Sequence, residues 1–463
     1  YAPSGVVEVE FVFDGSELAG NSVVAFEELY CDGKLIADHK DIDDPDQTVN
    51  FPEIKTEAQD SDTKTDLSKA DEEITIQDTV TYKNLKPGYK FTMRGTLMNK
   101  ETGEPILDDN GKEVTAETTF IPEEADGSVV VEFKFSGVNC AGMTAVAFEE
   151  LVRNDIVYAV HADIEDEAQT VHIPEIETHA KDVENQTQNS MADESVTVQD
   201  EVTYTNLVPG REYEITGTLY DKETEKPLLV DGKEVTATKT FTPEEPDGSI
   251  VLEFTFDGSA LEGTTVVAFE ELFYEGKSIA VHADINDKDQ SIYFPEIRTT
   301  ATDKEDGDKR ATADSDVTIV DKVLYENLVP GTAYRVEGTL MLKDTGKALI
   351  VDGKEVTVSK VFTPDKSSGS VEVEFHFNGK GLGGKELVAF EKLYLDGEAN
   401  MEVAHHEDIN DPSQTVTMVN PPAGSNKVQT GDNYLLYGAL GAAAGLLIGG
   451  GLLFRKKKGP KSE

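Results

Sequence analysis

Five polar residues recur three times, in the same order, along this 463-residue chain: a threonine, an aspartate, a glutamate, a histidine and a glutamine. They are Thr56, Asp78, Glu149, His161 and Gln169; then Thr178, Asp200, Glu270, His282 and Gln290; then Thr299, Asp321, Glu391, His406 and Gln414. Each threonine sits in an I-x-T-x-A segment 22 residues before its aspartate, and each glutamine follows its histidine by eight. Together these groups suit one reaction, attack of the threonine hydroxyl on the glutamine carboxamide with loss of ammonia. A hydroxyl is a weak nucleophile, so the histidine is expected to take its proton. An amide is a weak electrophile, so a protonated carboxylic acid is expected to hydrogen-bond its oxygen while a proton reaches the departing nitrogen. Burial raises carboxyl pKa values and supplies that acid near neutral pH. Because each set carries its own nucleophile and its own amide, it implies one turnover within each copy, not an enzyme working on external substrates. The chemistry calls for no cofactor and no metal.

These residues lie on alternating patterns. Asp78, Asp200 and Asp321 are each flanked two positions away, on both sides, by Ile or Val, which turns them inward on a strand of period two. A buried carboxylate is costly unless paired or hydrogen-bonded, so a functional role competes with plain satisfaction by backbone donors at a sheet edge. The glutamates belong to a VAFEEL string at 24–29, 146–151 and 267–272, which returns as VAFEKL at 388–393. Lys392 replaces the second glutamate of the last copy, so the first (Glu149, Glu270, Glu391) is the better candidate.

Around these residues the whole chain repeats at about 121 positions. An N-L-x-P-G turn stands at 84–88, 206–210 and 327–331, and Pro52, Pro174 and Pro295 mark the junctions. Complete domains therefore span 52–173, 174–294 and 295–419, while 1–51 is the C-terminal part of a domain whose first half lies upstream. There Glu27, His39 and Gln47 occur without the I-x-T-x-A threonine. The chain opens on Tyr1 with no signal peptide, so its native start is expected upstream too. Seven to nine short strands per repeat, separated by Asp-Gly and Pro-Gly turns, predict an all-β fold of tandem antiparallel, immunoglobulin-like β-sandwiches. Linkers this short predict a semi-rigid rod.

Composition narrows the function. A net charge of −50, from 91 acidic against 41 basic residues, excludes a nucleic-acid binder. Cys31 and Cys140 fall at non-equivalent places in the repeat, so no disulfide framework is expected, and Cys140 stands where other copies have leucine and reads as a core residue. The acidic loops between histidine and glutamine lack the glycine and distal glutamate of an EF-hand, which favours solvated loops over calcium sites. The alternative function is an extracellular array of carbohydrate-binding modules; the absence of any Trp counts against it.

The C-terminus carries an address. Residues 434–454 are 21 uncharged positions, enough for a single transmembrane helix across about 30 Å of hydrocarbon. The basic tail 455–463 follows, beginning Arg455, Lys456, Lys457, Lys458, and by the positive-inside rule it stays in the cytoplasm with every domain outside. A permanent membrane anchor is the plain reading. Before the span, however, the linker 420–433 contains Thr430-Gly431-Asp432. That order of Thr-Gly, apolar span and basic tail resembles the cell-wall sorting signal of Gram-positive surface proteins, with Lys427 and Val428 where the common signal has Leu and Pro. The resemblance implies sortase and peptidoglycan as partners, cleavage between Thr430 and Gly431, and covalent attachment to the wall after transient membrane anchoring.

Residues 1–419 in turn resemble the Thr-Gln ester-bond domains, or VaFE repeats, of Gram-positive surface adhesins. The family's crosslinking threonine falls on Thr56, Thr178 and Thr299 and its glutamine on Gln169, Gln290 and Gln414. Its assisting residues fall on Asp78, Glu149 and His161, on Asp200, Glu270 and His282, and on Asp321, Glu391 and His406. The resemblance implies a stalk that holds an adhesive region, with its host or surface ligand, away from the cell. Replacing Thr430 with Ala should abolish wall attachment and leave the protein detergent-extractable; wall-linked material from that variant would contradict the Thr-Gly reading.

Overall fold

The computed structural model describes residues 4–397 and 401–421. The second repeat illustrates how sequence becomes sandwich. Its first strand, Glu175–Asp182, and second, Val196–Thr205, bury every other side chain; Val196, Val198, Asp200, Val202 and Tyr204 all point inward. The third strand is Tyr213–Asp221, the fourth Thr236–Phe241, the fifth Gly248–Phe256, the sixth Thr265–Tyr274, the seventh Lys277–His282 and the eighth Ser291–Tyr293.

Strands one, two and five form one sheet. Strand three pairs with four and six, and six in turn pairs with seven and eight, making the second. This division, with the fourth strand on the sheet of the third, makes a β-sandwich of two antiparallel sheets. Between the sheets lies an apolar cluster that includes Val198, Ile215, Phe254, Val266 and Ile292, all almost wholly buried. The first repeat follows the same plan from Glu53–Asp60 to Thr170–His172, and the third from Glu296–Asp303 to Thr415–Val419, each around its own core. Cys140 is a buried residue of the first core, whereas Cys31 is exposed.

Two features go beyond the expected antiparallel set. The hairpin after the third strand adds two-residue strands in the later repeats, at Lys226–Pro227, Leu229–Val230 and Lys233–Glu234 and their counterparts. The chain after the first strand also returns beside the last one in parallel, through Leu67↔His172, Asn189↔Tyr293 and the pairing of Arg310–Thr312 with the final strand. Residues 4–51 hold only four short strands and leave Phe11, Leu29 and Ile36 exposed. No helix among the described residues is long and apolar enough to cross a membrane. The span 434–454, the linker with Thr430 and Gly431, and the basic tail lie outside the described residues, except for the first two positions of the linker.

One glycine per repeat makes room for the interior. Gly95, Gly217 and Gly338 lie directly across the sheet from Glu149, Glu270 and Glu391. A Cβ on Gly217 would stand 2.5 Å from Phe254 Cζ and 2.9 Å from Leu252 Cδ1, and the Phe133 and Phe375 rings crowd the other two in the same way. Overpacking of this kind costs about 1–3 kcal/mol. Gly217→Ala should therefore lower the unfolding midpoint of the second repeat, measured by urea denaturation with repeat-resolved hydrogen exchange; an unchanged midpoint would mean the Phe254 ring yields freely.

Candidate functional site

In the second repeat the sandwich brings together residues that lie 112 positions apart. First and second strands pair so that Thr178 faces Val202 and Ala180 faces Asp200, placing threonine and aspartate on the same inner face, two residues out of step. The sixth strand supplies Glu270 from the opposite sheet, and the turn before the eighth supplies Gln290. In every repeat the threonine, aspartate, glutamate and glutamine are buried, the carboxyl groups at 0–1% exposure. The second glutamate of the string, Glu150, is exposed.

Geometry is tightest in the second repeat. Gln290 Nε2 donates to Thr178 Oγ1 at 2.7 Å and to Glu270 Oε2 at 2.7 Å, while Thr178 Oγ1 donates to Glu270 Oε2 at 3.2 Å. In the third, Thr299 Oγ1 donates to Glu391 Oε2 at 3.1 Å and Gln414 Nε2 to the same oxygen at 3.3 Å. In the first, Gln169 Nε2 reaches Glu149 Oε2 at 3.4 Å, while Thr56 Oγ1 makes no hydrogen bond. Residues 4–51 keep half of the arrangement, with Gln47 Nε2 donating to Glu27 Oε2 at 2.6 Å.

Both oxygens of each aspartate and Oε1 of each glutamate have no conventional donor facing them. What faces them is each other: the two carboxyls hydrogen-bond directly in all three repeats. Such a contact requires a shared proton. Burial is the chief cause that raises both acids, and the neighbouring aspartate raises the glutamate further, pushing Glu149 up to about 11 and Glu270 and Glu391 well above the ordinary value. The glutamate's hydrogen bond opposes the rise at the aspartate, so the proton rests on the glutamate.

Two details differ from expectation. The acid stands at the amide nitrogen, and Oε1 of Gln169, Gln290 and Gln414 has no partner. The histidine contacts the loop and, in the second and third repeats, backbone, not the threonine hydroxyl; His161 Nδ1 has no partner. Its Nε2 meets an aspartate five residues on: His161 with Asp166 at 2.9 Å, His282 with Asp287 at 2.9 Å, His406 with Asp411 at 3.2 Å, and in the half-domain His39 with Asp44 at 3.1 Å. His282 Nδ1 lies 3.1 Å from Ile176 O, and His406 Nδ1 accepts from Thr299 N at 3.1 Å. These four aspartates were concealed within the acidic loops; their constant offset from the histidine was the available signal. Burial would raise Asp287 and Asp411, but backbone and side-chain donors, the paired histidines among them, bring both below the usual range.

The model of the T-Q ester bond containing domain matches residues 2–51, 52–173, 174–294 and 295–418. The chain belongs to this family. Among solved structures, T-Q ester bond domains of this chain are similar to a bacterial adhesin from Mobiluncus mulieris containing disulfide, isopeptide and ester crosslinks. Identity there is 14% over 49% of this chain and 83% of that one, with a TM-score of 0.24. A tetra-tandem repeat from the extending region of a large adhesion protein is 13% identical over 78% and 74%, with a TM-score of 0.18. Comparison with curated proteins gives no match.

The raised glutamates make stability of an unlinked T-Q domain depend on pH with a definite sign. A folded state that holds its proton up to about 11, against 4.5 for an ordinary glutamate, binds more protons than the unfolded chain throughout that interval. Stability of the open domain must then fall as pH rises across it. A chain carrying Thr56→Val, Thr178→Val and Thr299→Val should lose stability from pH 6 to 9, and adding Glu149→Gln, Glu270→Gln and Glu391→Gln should flatten the slope in denaturant titrations. A flat profile before the second set of changes would contradict the protonated pair.

Proposed function

We propose that this chain is the wall-proximal stalk of a surface adhesin, in which each complete T-Q domain closes an ester between its first strand and the segment entering its last. The observation that carries this reading is the Gln290 carboxamide held at 2.7 Å from both the Thr178 hydroxyl and the Glu270 carboxyl. Nucleophile, electrophile and acid meet there in a site without bulk water, where fixed groups act at full strength.

Proton bookkeeping assigns the roles. Thr178 Oγ1 attacks Gln290 Cδ and its proton passes to Asp200, which shares the inner face of the sheet two residues out of step with it. Glu270 gives its proton to Nε2 as the C–N bond breaks. Ammonia leaves, Asp200 returns a proton to Glu270 across their mutual hydrogen bond, and the pair is restored. His282 and Asp287 act by tying the terminal loop to the first strand, so that the amide is presented to the hydroxyl. Equivalent roles fall to Thr56, Asp78, Glu149, His161 and Gln169, and to Thr299, Asp321, Glu391, His406 and Gln414.

The stalk role follows from where the bond lies. Tension enters a repeat just before Thr178 and leaves just after Gln290, so the ester carries the load and the intervening sandwich is spared. Closing a loop of this length also removes unfolded-state entropy worth about 4 to 5 kcal/mol, by the relation used for disulfides. Attachment to peptidoglycan by sortase through Thr430, with a distal adhesive region reaching a host or surface ligand, completes the reading. It rests on the Thr-Gly, apolar and basic order of residues 430–458.

Thr178→Val tests the chemistry, because valine is close in shape and lacks the hydroxyl. Under denaturing conditions trypsin should nick the wild-type second repeat yet leave the segments bearing Thr178 and Gln290 joined, while the Val and Glu270→Gln variants should release them. Separation of the wild-type segments would contradict the proposal.

A further inference from the structure

The junctions between repeats carry a second recurring constellation, which the crosslink does not use. The asparagine of each N-L-x-P-G turn adopts a left-handed backbone, with φ of 60° at Asn84, 64° at Asn206 and 59° at Asn327. Asparagine tolerates that conformation, which is the local reason for its presence. Its side chain, however, leaves its own domain. Asn206 Nδ2 donates to Met143 O at 2.6 Å in the preceding repeat, and Asn206 Oδ1 accepts from Thr144 Oγ1 at 3.0 Å and from His172 Nδ1 at 2.9 Å. Asn84 makes the same pair of contacts with Asn21 O at 2.5 Å and Ser22 Oγ at 3.1 Å, and Asn327 with Thr264 O and with Thr265 Oγ1 at 2.8 Å.

Further contacts cross these junctions. Gly20, Gly142 and Gly263, all at positive φ, let Glu53, Glu175 and Glu296 of the next repeat approach to 3.1 Å of where a Cβ would stand. Leu67, fully buried, joins the apolar cluster of the second repeat; at the equivalent place Asn189 accepts from Tyr334 Oη of the third at 3.0 Å. Arg211 also binds Asp66 through both nitrogens, at 2.6 and 2.7 Å, a planar two-point pairing across the Asn206 junction.

The trailing end of the third repeat keeps the positive-φ glycine, as Gly384, but departs from this pattern at two of the corresponding residues. Glu386 stands where the others have Ser22, Thr144 and Thr265, and Arg310 stands where they have Leu67 and Asn189; both are exposed. A carboxylate there would meet the asparagine carbonyl oxygen with like polarity, and a guanidinium cannot enter an apolar socket unpaired.

We propose that the trailing end of a repeat is a docking socket whose partner is another repeat presenting the Asn-Leu-x-Pro-Gly turn, and that the third repeat lacks this socket. The asparagine side chain sets the angle between neighbours; without such a lock, neighbouring domains move relative to each other. Stacking is thereby confined to the upstream side of the third repeat.

Distances between spin labels at S128C and S249C, measured by pulsed electron resonance in the full chain with Cys31→Ser, test this. Wild type should give one narrow distribution. Asn206→Gly keeps the left-handed turn and removes only the side chain, and Thr144→Val removes only the hydroxyl, from the other side of the junction; both should lose the narrow peak. Should either variant stay as narrow as wild type, the asparagine is a turn residue only and the proposal is overturned.

Discussion

Two acids sharing one proton inside an apolar sandwich are the constraint on which the rest depends. An aspartate and a glutamate at 0–1% exposure cannot both be charged, since desolvating two like charges side by side far exceeds what backbone donors return. Holding one proton between them resolves the cost and leaves a neutral acid near a carboxamide at ordinary pH. Everything close by serves that arrangement. Gly95, Gly217 and Gly338 admit the phenylalanine rings that seal it, and the alternation of the second strand turns the aspartate inward among valines and isoleucines.

A second layer fixes the amide. The last strand is short, and its entry is a turn with little core of its own to hold it. The loop aspartate orients the histidine ring, and the ring meets the backbone of the first strand, so the glutamine approaches the threonine from a tethered segment. This explains why residues 4–51 retain Glu27, His39, Asp44 and Gln47 in the same contacts although the first-strand threonine is not among them: the terminal hairpin and its turn carry that half of the site themselves.

Much of this was legible in the sequence because the chain repeats and so comments on itself. Period-two alternation identified the strands, and the lysine at 392 singled out the first glutamate of the string, which the fold buries while exposing Glu150. Contacts that depend on register across strands were not legible. Nothing in spacing says that His282 turns its ring toward Ile176 O, or that Glu270 stands at the amide nitrogen, because both follow from the pairing Glu270↔His282 and the depth of the turn before Ser291. The junction asparagines read as turn residues for the same reason: their partners lie in another domain, 34 to 63 positions away for Asn206.

Whether the buried pair drives a reaction or merely fills a core is decided most directly by the intact mass of the chain. Each ester releases one ammonia, so three closed repeats should leave the protein about 51 Da lighter than its sequence, at about 17 Da each. A mass equal to that of the unmodified sequence would contradict the account, leaving the threonines and glutamines as hydrogen-bonded core residues and the stalk dependent on packing alone.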